Sequence, residues 1–159
     1  MTITHATTFP DNQHWLRTHR RSTIARIALY LGAASLVVSG IDHIQQYYVN
    51  DYSTIPTIGV LFLLNFVAAV VVAVGLIAPI GRIAGRYADA IRAVLAVAGI
   101  GIAVLSLGAL FVSESSSLFG FTENGYRMAI VVAIASEAAA VLFLVIYLVA
   151  SPISSRWRR

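Results

Sequence analysis

Four apolar stretches constrain this chain more than anything else in it. They cover residues 24–48, 58–78, 90–112 and 128–150. Each holds about 20 residues or more, and at 1.5 Å per residue that length crosses a hydrocarbon core of ~30 Å. Inside lipid there is no water to satisfy backbone N–H and C=O groups, so each stretch must be a helix. The prolines agree with these limits: Pro56 precedes the second stretch, while Pro79 and Pro152 follow the second and fourth. The sequence therefore predicts an all-α fold, an integral membrane four-helix bundle. A polar tail (1–23) precedes the helical domain (24–150), and a short basic tail (151–159) follows it.

Charge supports that reading and orients it. Charged residues make up only 11% of the 159 residues, against about a quarter in a soluble domain. All eleven basic residues are arginines. Arg17, Arg20, Arg21 and Arg26 precede or open the first stretch, Arg82, Arg86 and Arg92 lie around the second connection, and Arg156, Arg158 and Arg159 end the chain. Only Arg127 falls on the other side, beside Asp51, Glu114 and Glu123. By the positive-inside rule both termini are cytoplasmic, in a plasma (inner) membrane. The sequence pI of about 9.9 thus reflects topology, and no nucleic-acid partner is expected. Tyr47, Tyr48, Tyr52, Phe119, Phe121 and Tyr126 are expected to form an aromatic belt at the outer interface. Trp15 and Leu16 suggest a short interfacial helix in the N-terminal tail. The long polar lead does not resemble a signal peptide.

Several chemistries find no footing. There is no cysteine, hence no thiolate nucleophile, thiolate zinc site or iron–sulfur cluster. His5, His14 and His19 are spaced by nine and five residues and fit no common metal-ligand pattern. No Ser/His/Asp arrangement, HExxH or phosphate loop occurs, so no enzyme activity is expected. His43 is the only histidine within a span, so bis-histidine haem would require a dimer, and no cofactor is expected.

What remains is a set of polar side chains inside the spans. Glu137 stands near the middle of the fourth, where a charge costs on the order of 2.5–3.5 kcal/mol on insertion scales. An intramembrane carboxyl is a site candidate for a proton, a cation or a counter-ion; equally, it can be a structural hydrogen bond to Asn65 or Ser35 of a neighbouring helix. Asp42 and His43 sit side by side near the outer end of the first. As neighbours they diverge by about 100° around a helix, so one is expected to face the bundle and the other to cap the span at the headgroups. Counting the rise per residue, Asp42 and His43 lie roughly 5 Å below the outer edge of the hydrocarbon, Ser106 about 8 Å, Asn65 about 10 Å and Glu137 about 14 Å. Asp42, His43, Asn65 and Glu137 are therefore candidates to border one outward cavity, supported by Ser35, Ser39, Gln46, Ser106 and Ser136. Small and polar residues recur at helical spacing in every span, among them Gly32, Ser35 and Ser39, Ala69 and Ala73, Gly99 and Ala103, Ser136 and Ala140. In lipid, such faces let helices approach one another.

Two stretches, Ile-Pro-Thr-Ile-Gly-Val-Leu-Phe-Leu-Leu-Asn ending at Asn65 and Leu-Phe-Gly-Phe-Thr-Glu ending at Glu123, together with Glu137, resemble a group of small four-helix actinobacterial membrane proteins. More distantly the layout is similar to the DoxX-like family, four-helix proteins linked to membrane redox complexes. Those resemblances imply a four-helix membrane bundle and carry over no functional residue. Short loops and small-residue faces point first to an accessory subunit of a larger membrane assembly, as a homo-oligomer or within a complex. The alternative is a bundle that binds or transports a small molecule, lipid, quinone or ion through its polar cavity.

Overall fold

The computed structural model describes residues 12–116 and 128–151, with side chains from residue 22 onward. Expectations for His5, Phe119, Phe121, Tyr126, Arg127 and the C-terminal arginines lie outside these residues, and those for the side chains of His14, Trp15, Leu16 and His19 precede the first described side chain. Among the described residues there are helices and no strands. Helix α1 spans Asn12–Val49, α2 Pro56–Ile77, α3 Ile80–Ala84, α4 Ala88–Ser115 and α5 Met128–Ala150. Helices α1, α2, α4 and α5 are long and apolar enough to cross a membrane. Large aliphatic side chains such as Ile27, Val71, Val97 and Val149 are exposed along their outer faces, a surface suited to lipid rather than water.

Helix α1 is already helical at Asn12 and continues without a break into the first expected span, whose apolar part runs over Ser22–Val49. It also does not stop at Asp42 and His43 but runs on to Val49. Pro56 occupies the first turn of α2, where the missing N–H would have no intrahelical partner. The Arg92 guanidinium donates to the Ala78 carbonyl at 3.5 Å, next to the point where Pro79 ends α2.

The four long helices run up and down in turn. Helix α1 packs on α2 and α5, and α4 packs on the same two helices, which leaves α1 opposite α4. The end of the bundle that carries α3 is closed tightly by small residues. A Cβ on Gly32 would lie 2.6 Å from Leu144 Cδ2, and one on Gly99 would lie 2.8 Å from Leu144 Cδ1 and 2.9 Å from Leu36 Cδ1. Leu144 is fully buried because both glycines make room for it. On the α2–α4 seam, Gly75 receives Leu95 in the same way.

The opposite end is built differently. Asp51 adopts the left-handed conformation (φ 56°), which a short polar residue tolerates, and starts the 3-10 turn Tyr52–Thr54. That turn lies against Gly59, whose Cβ would come within 2.7 Å of the Tyr52 carbonyl oxygen. Tyr52 is thereby tucked inward, only 5% exposed, and stacks on Phe62 with ring centroids 4.8 Å apart. This corrects the expectation that Tyr52 belongs to an interfacial belt. Tyr48 does remain exposed, with Tyr47 edge-on to it.

Candidate functional site

At the level of Ser39 and Ser106 the aliphatic packing gives way to a polar cluster that joins three helices. Glu137 on α5 is 1% exposed. The Ser39 hydroxyl on α1 donates to its Oε1 at 3.1 Å, and Ser106 on α4 joins the cluster through His43. His43, one turn beyond Ser39, places Nε2 at 3.8 Å from the same Oε1, too far for a direct hydrogen bond. Its Nδ1 sits 2.8 Å from the Ser39 carbonyl. A carbonyl only accepts, so Nδ1 carries the proton of that bond. In the neutral ring, Nε2 is then the acceptor for the Ser106 hydroxyl at 3.2 Å.

The structural partner of Glu137 is thus Ser39, not Ser35 or Asn65. Ser35 turns its hydroxyl back to the Leu31 carbonyl of its own helix (2.9 Å). Ser136 likewise donates to Ala133 (3.1 Å). The difference is one helical turn: Ser35 and Ser39 lie on one stripe, ~6 Å apart along the axis, and depth counted from sequence does not resolve that step.

Beside the cluster lies a cavity of about 340 Å³, and Asp42, His43, Asn65 and Glu137 all line it, with Gln46 and Ser106. Asp42 and His43 are both buried and both face this cavity, which corrects the expectation that only one of them points inward. Helix α1 is flanked by α2 on one side and α5 on the other, so its interior sector is wide enough to hold two directions about 100° apart. Asp42 and Gln46 also border a second cavity of about 290 Å³, between α1 and α5, and so form part of the partition between the two. Gln46 Oε1 accepts from Asn50 Nδ2 at 2.6 Å. Asn65 Oδ1 is buried without a hydrogen-bond partner among the described residues.

The remaining walls are apolar. Phe62, tilted against the His43 ring at 5.0 Å, and Tyr52 form an aromatic side. The mouth lies between α2 and α4, where the rim residues Leu61, Leu64 and Leu105 face outward; Leu105 is 75% exposed. These two helices touch at the α3 end through Gly75 and Leu95 and through Gly99 and Val72, and the cavity fills the gap farther along. The arrangement is an apolar doorway leading to a polar inner wall, the usual division of labour in a small-molecule site. Tyr52 and Phe62 were not among the residues expected here. Their signal in the sequence was the Pro56 and Gly59 pair that folds the connection back onto α2.

No group of three or more metal-ligating side chains occurs among the described residues. Comparisons with family models, curated proteins and solved structures give no match to this chain. The likeness to the actinobacterial group and to the DoxX-like family stays an expectation, and the functional reading rests on the site itself.

Proposed function

We propose that this is a multi-pass protein of the plasma membrane, both termini cytoplasmic, that binds a small amphiphilic molecule drawn from the bilayer. The observation that carries the reading is the cavity: its rim between α2 and α4 is apolar and exposed, while its inner wall holds Asp42, His43, Asn65, Ser106 and Glu137. A molecule entering through the rim keeps its apolar part against leucines and lipid. Its polar head reaches hydrogen-bonding groups that lipid tails cannot satisfy. A close-packed bundle that served only as a docking subunit would gain nothing from such an opening, since voids forfeit dispersion contacts. The cavity therefore favours binding over the accessory role that the short loops suggest.

Purification of the tagged protein from its native membrane in gentle detergent, followed by native mass spectrometry, tests this reading. The expected result is a retained small molecule that is lost when Ala133→Phe fills the cavity. A stoichiometric protein partner with no retained small molecule would establish the accessory role instead.

A further inference from the structure

The polar wall of the cavity has a chemical bias. It offers as acceptors the carboxyl groups of Asp42 and Glu137 and the Oδ1 of Asn65, which has no partner among the described residues, beside the amide N–H donors of Asn65 and Gln46. Asp42 is 7% exposed, lines the cavity, and its carboxyl has no hydrogen-bond partner among the described residues. Opposite these groups stand Tyr52 and Phe62, and no arginine lines the cavity among the described residues. The one ring nitrogen pair present, that of His43, is engaged with the Ser39 carbonyl and with Ser106. The other elements, α2 and α4, contribute no charged side chain to the wall.

We infer that the ligand is a hydrophobic cation, an amine, quaternary ammonium or similar onium group on an apolar body. This inference rests on the binding reading above and names its ligand class. An anionic headgroup would face two acids of its own sign in a low-dielectric site and find no arginine among the described lining residues to pair with. An uncharged donor such as a hydroxyl would hydrogen-bond these oxygens yet leave a carboxylate without a counter-charge. A positive charge stands beside the carboxyls as their counter-ion, and a protonated amine would in addition donate to the Asn65 oxygen. An onium ion suits a doorway lined with leucine better than a small hydrated metal ion does, because its charge is covered by carbon.

Three probes of one shape separate the possibilities: methyltriphenylphosphonium, its uncharged isostere 1,1,1-triphenylethane, and triphenylacetate. Binding of the radiolabelled compounds is measured by equilibrium dialysis against the full chain in phosphatidylcholine nanodiscs, with empty nanodiscs subtracted. The cation is expected to bind saturably at one site, about tenfold or more tighter than the uncharged isostere, a difference of ~1.4 kcal/mol. Triphenylacetate is expected to show no binding above the lipid background. Asp42→Asn and Glu137→Gln each keep the shape of the side chain and an acceptor oxygen, and each is expected to shrink the cation's preference over the isostere several-fold. Elution as a monodisperse peak reports whether the variants fold, and the wild-type comparison of three probes decides the matter without them. Equal saturable binding of cation and isostere, or preference for triphenylacetate, overturns the charge inference and leaves the binding reading standing. If none of the three binds saturably, both are overturned.

Discussion

The two ends of this bundle solve the same packing problem in opposite ways. Toward α3, glycines and alanines let the helices close on Leu36, Leu76 and Leu144, all almost fully buried. Toward Tyr52 the same four helices spread around a cavity, and their contacts pass through hydroxyl, imidazole and carboxyl groups. The contrast is sharpest on α5, where Ala133 lines the cavity and Ala140 is 0% exposed in the closed core. They are seven residues apart and hence share one helix face. A bundle held in lipid gains little from burying aliphatic groups that lipid would hold equally well. Close packing at one end therefore supplies the stability that allows the other end to stay open.

The largest expected effect comes from exchanging that alanine pair. Ala140→Phe forces a ring into a filled core and should destabilise the fold by about 3 kcal/mol, whereas Ala133→Phe should change stability by less than about 1 kcal/mol because its ring enters the cavity. Unfolding in mixed micelles with increasing denaturing detergent compares the two directly, and equal losses would erase the distinction between the ends. Leu144→Ala should follow, with a loss of about 2 kcal/mol. In lipid the transfer part of a leucine deletion nearly vanishes, leaving the void between Gly32, Gly99 and Leu36 as the main cost. Removing the Ser39 hydroxyl should cost less, about 0.6 kcal/mol, the average for a hydrogen bond between membrane helices. Ser39→Ala read against Glu137→Leu, which removes the acceptor, in a double-mutant cycle checks that figure. Ser35→Ala should be smallest, within about 0.5 kcal/mol, because that hydroxyl returns to its own helix; an effect as large as at Ser39 would return Ser35 to the role of partner to Glu137.

The spans and the polar side chains within them were legible in the sequence, and for one reason. In a run of about 20 apolar residues, a glutamate or a histidine is conspicuous, and the rise per residue gives its height. Azimuth was not legible. Whether Asp42 and His43 diverge or share an interior depends on how far α2 and α5 wrap around α1, which no residue of α1 records. The partner of Glu137 was missed by one turn for a related reason: height along one helix does not determine which turn of another stands beside it. Tyr52 was misplaced because an aromatic residue next to a span usually marks an interface. Its burial depends on Asp51 taking the left-handed turn and on Gly59 admitting the chain.

The central claim is that Glu137 stands at the inner wall of a cavity open to lipid. Dicyclohexylcarbodiimide, a lipid-soluble reagent that forms an N-acylurea on carboxylic acids in apolar surroundings, tests it most directly when applied to the protein in nanodiscs and mapped by peptide mass. The account predicts an adduct on Glu137 in the wild type, no reaction there with a water-soluble carbodiimide, and loss of the Glu137 adduct in Ala133→Phe. An unmodified Glu137 would show that the carboxyl lies in a closed core, and an adduct that forms equally well in Ala133→Phe would show that the reagent does not reach it through the cavity; either result would contradict the account.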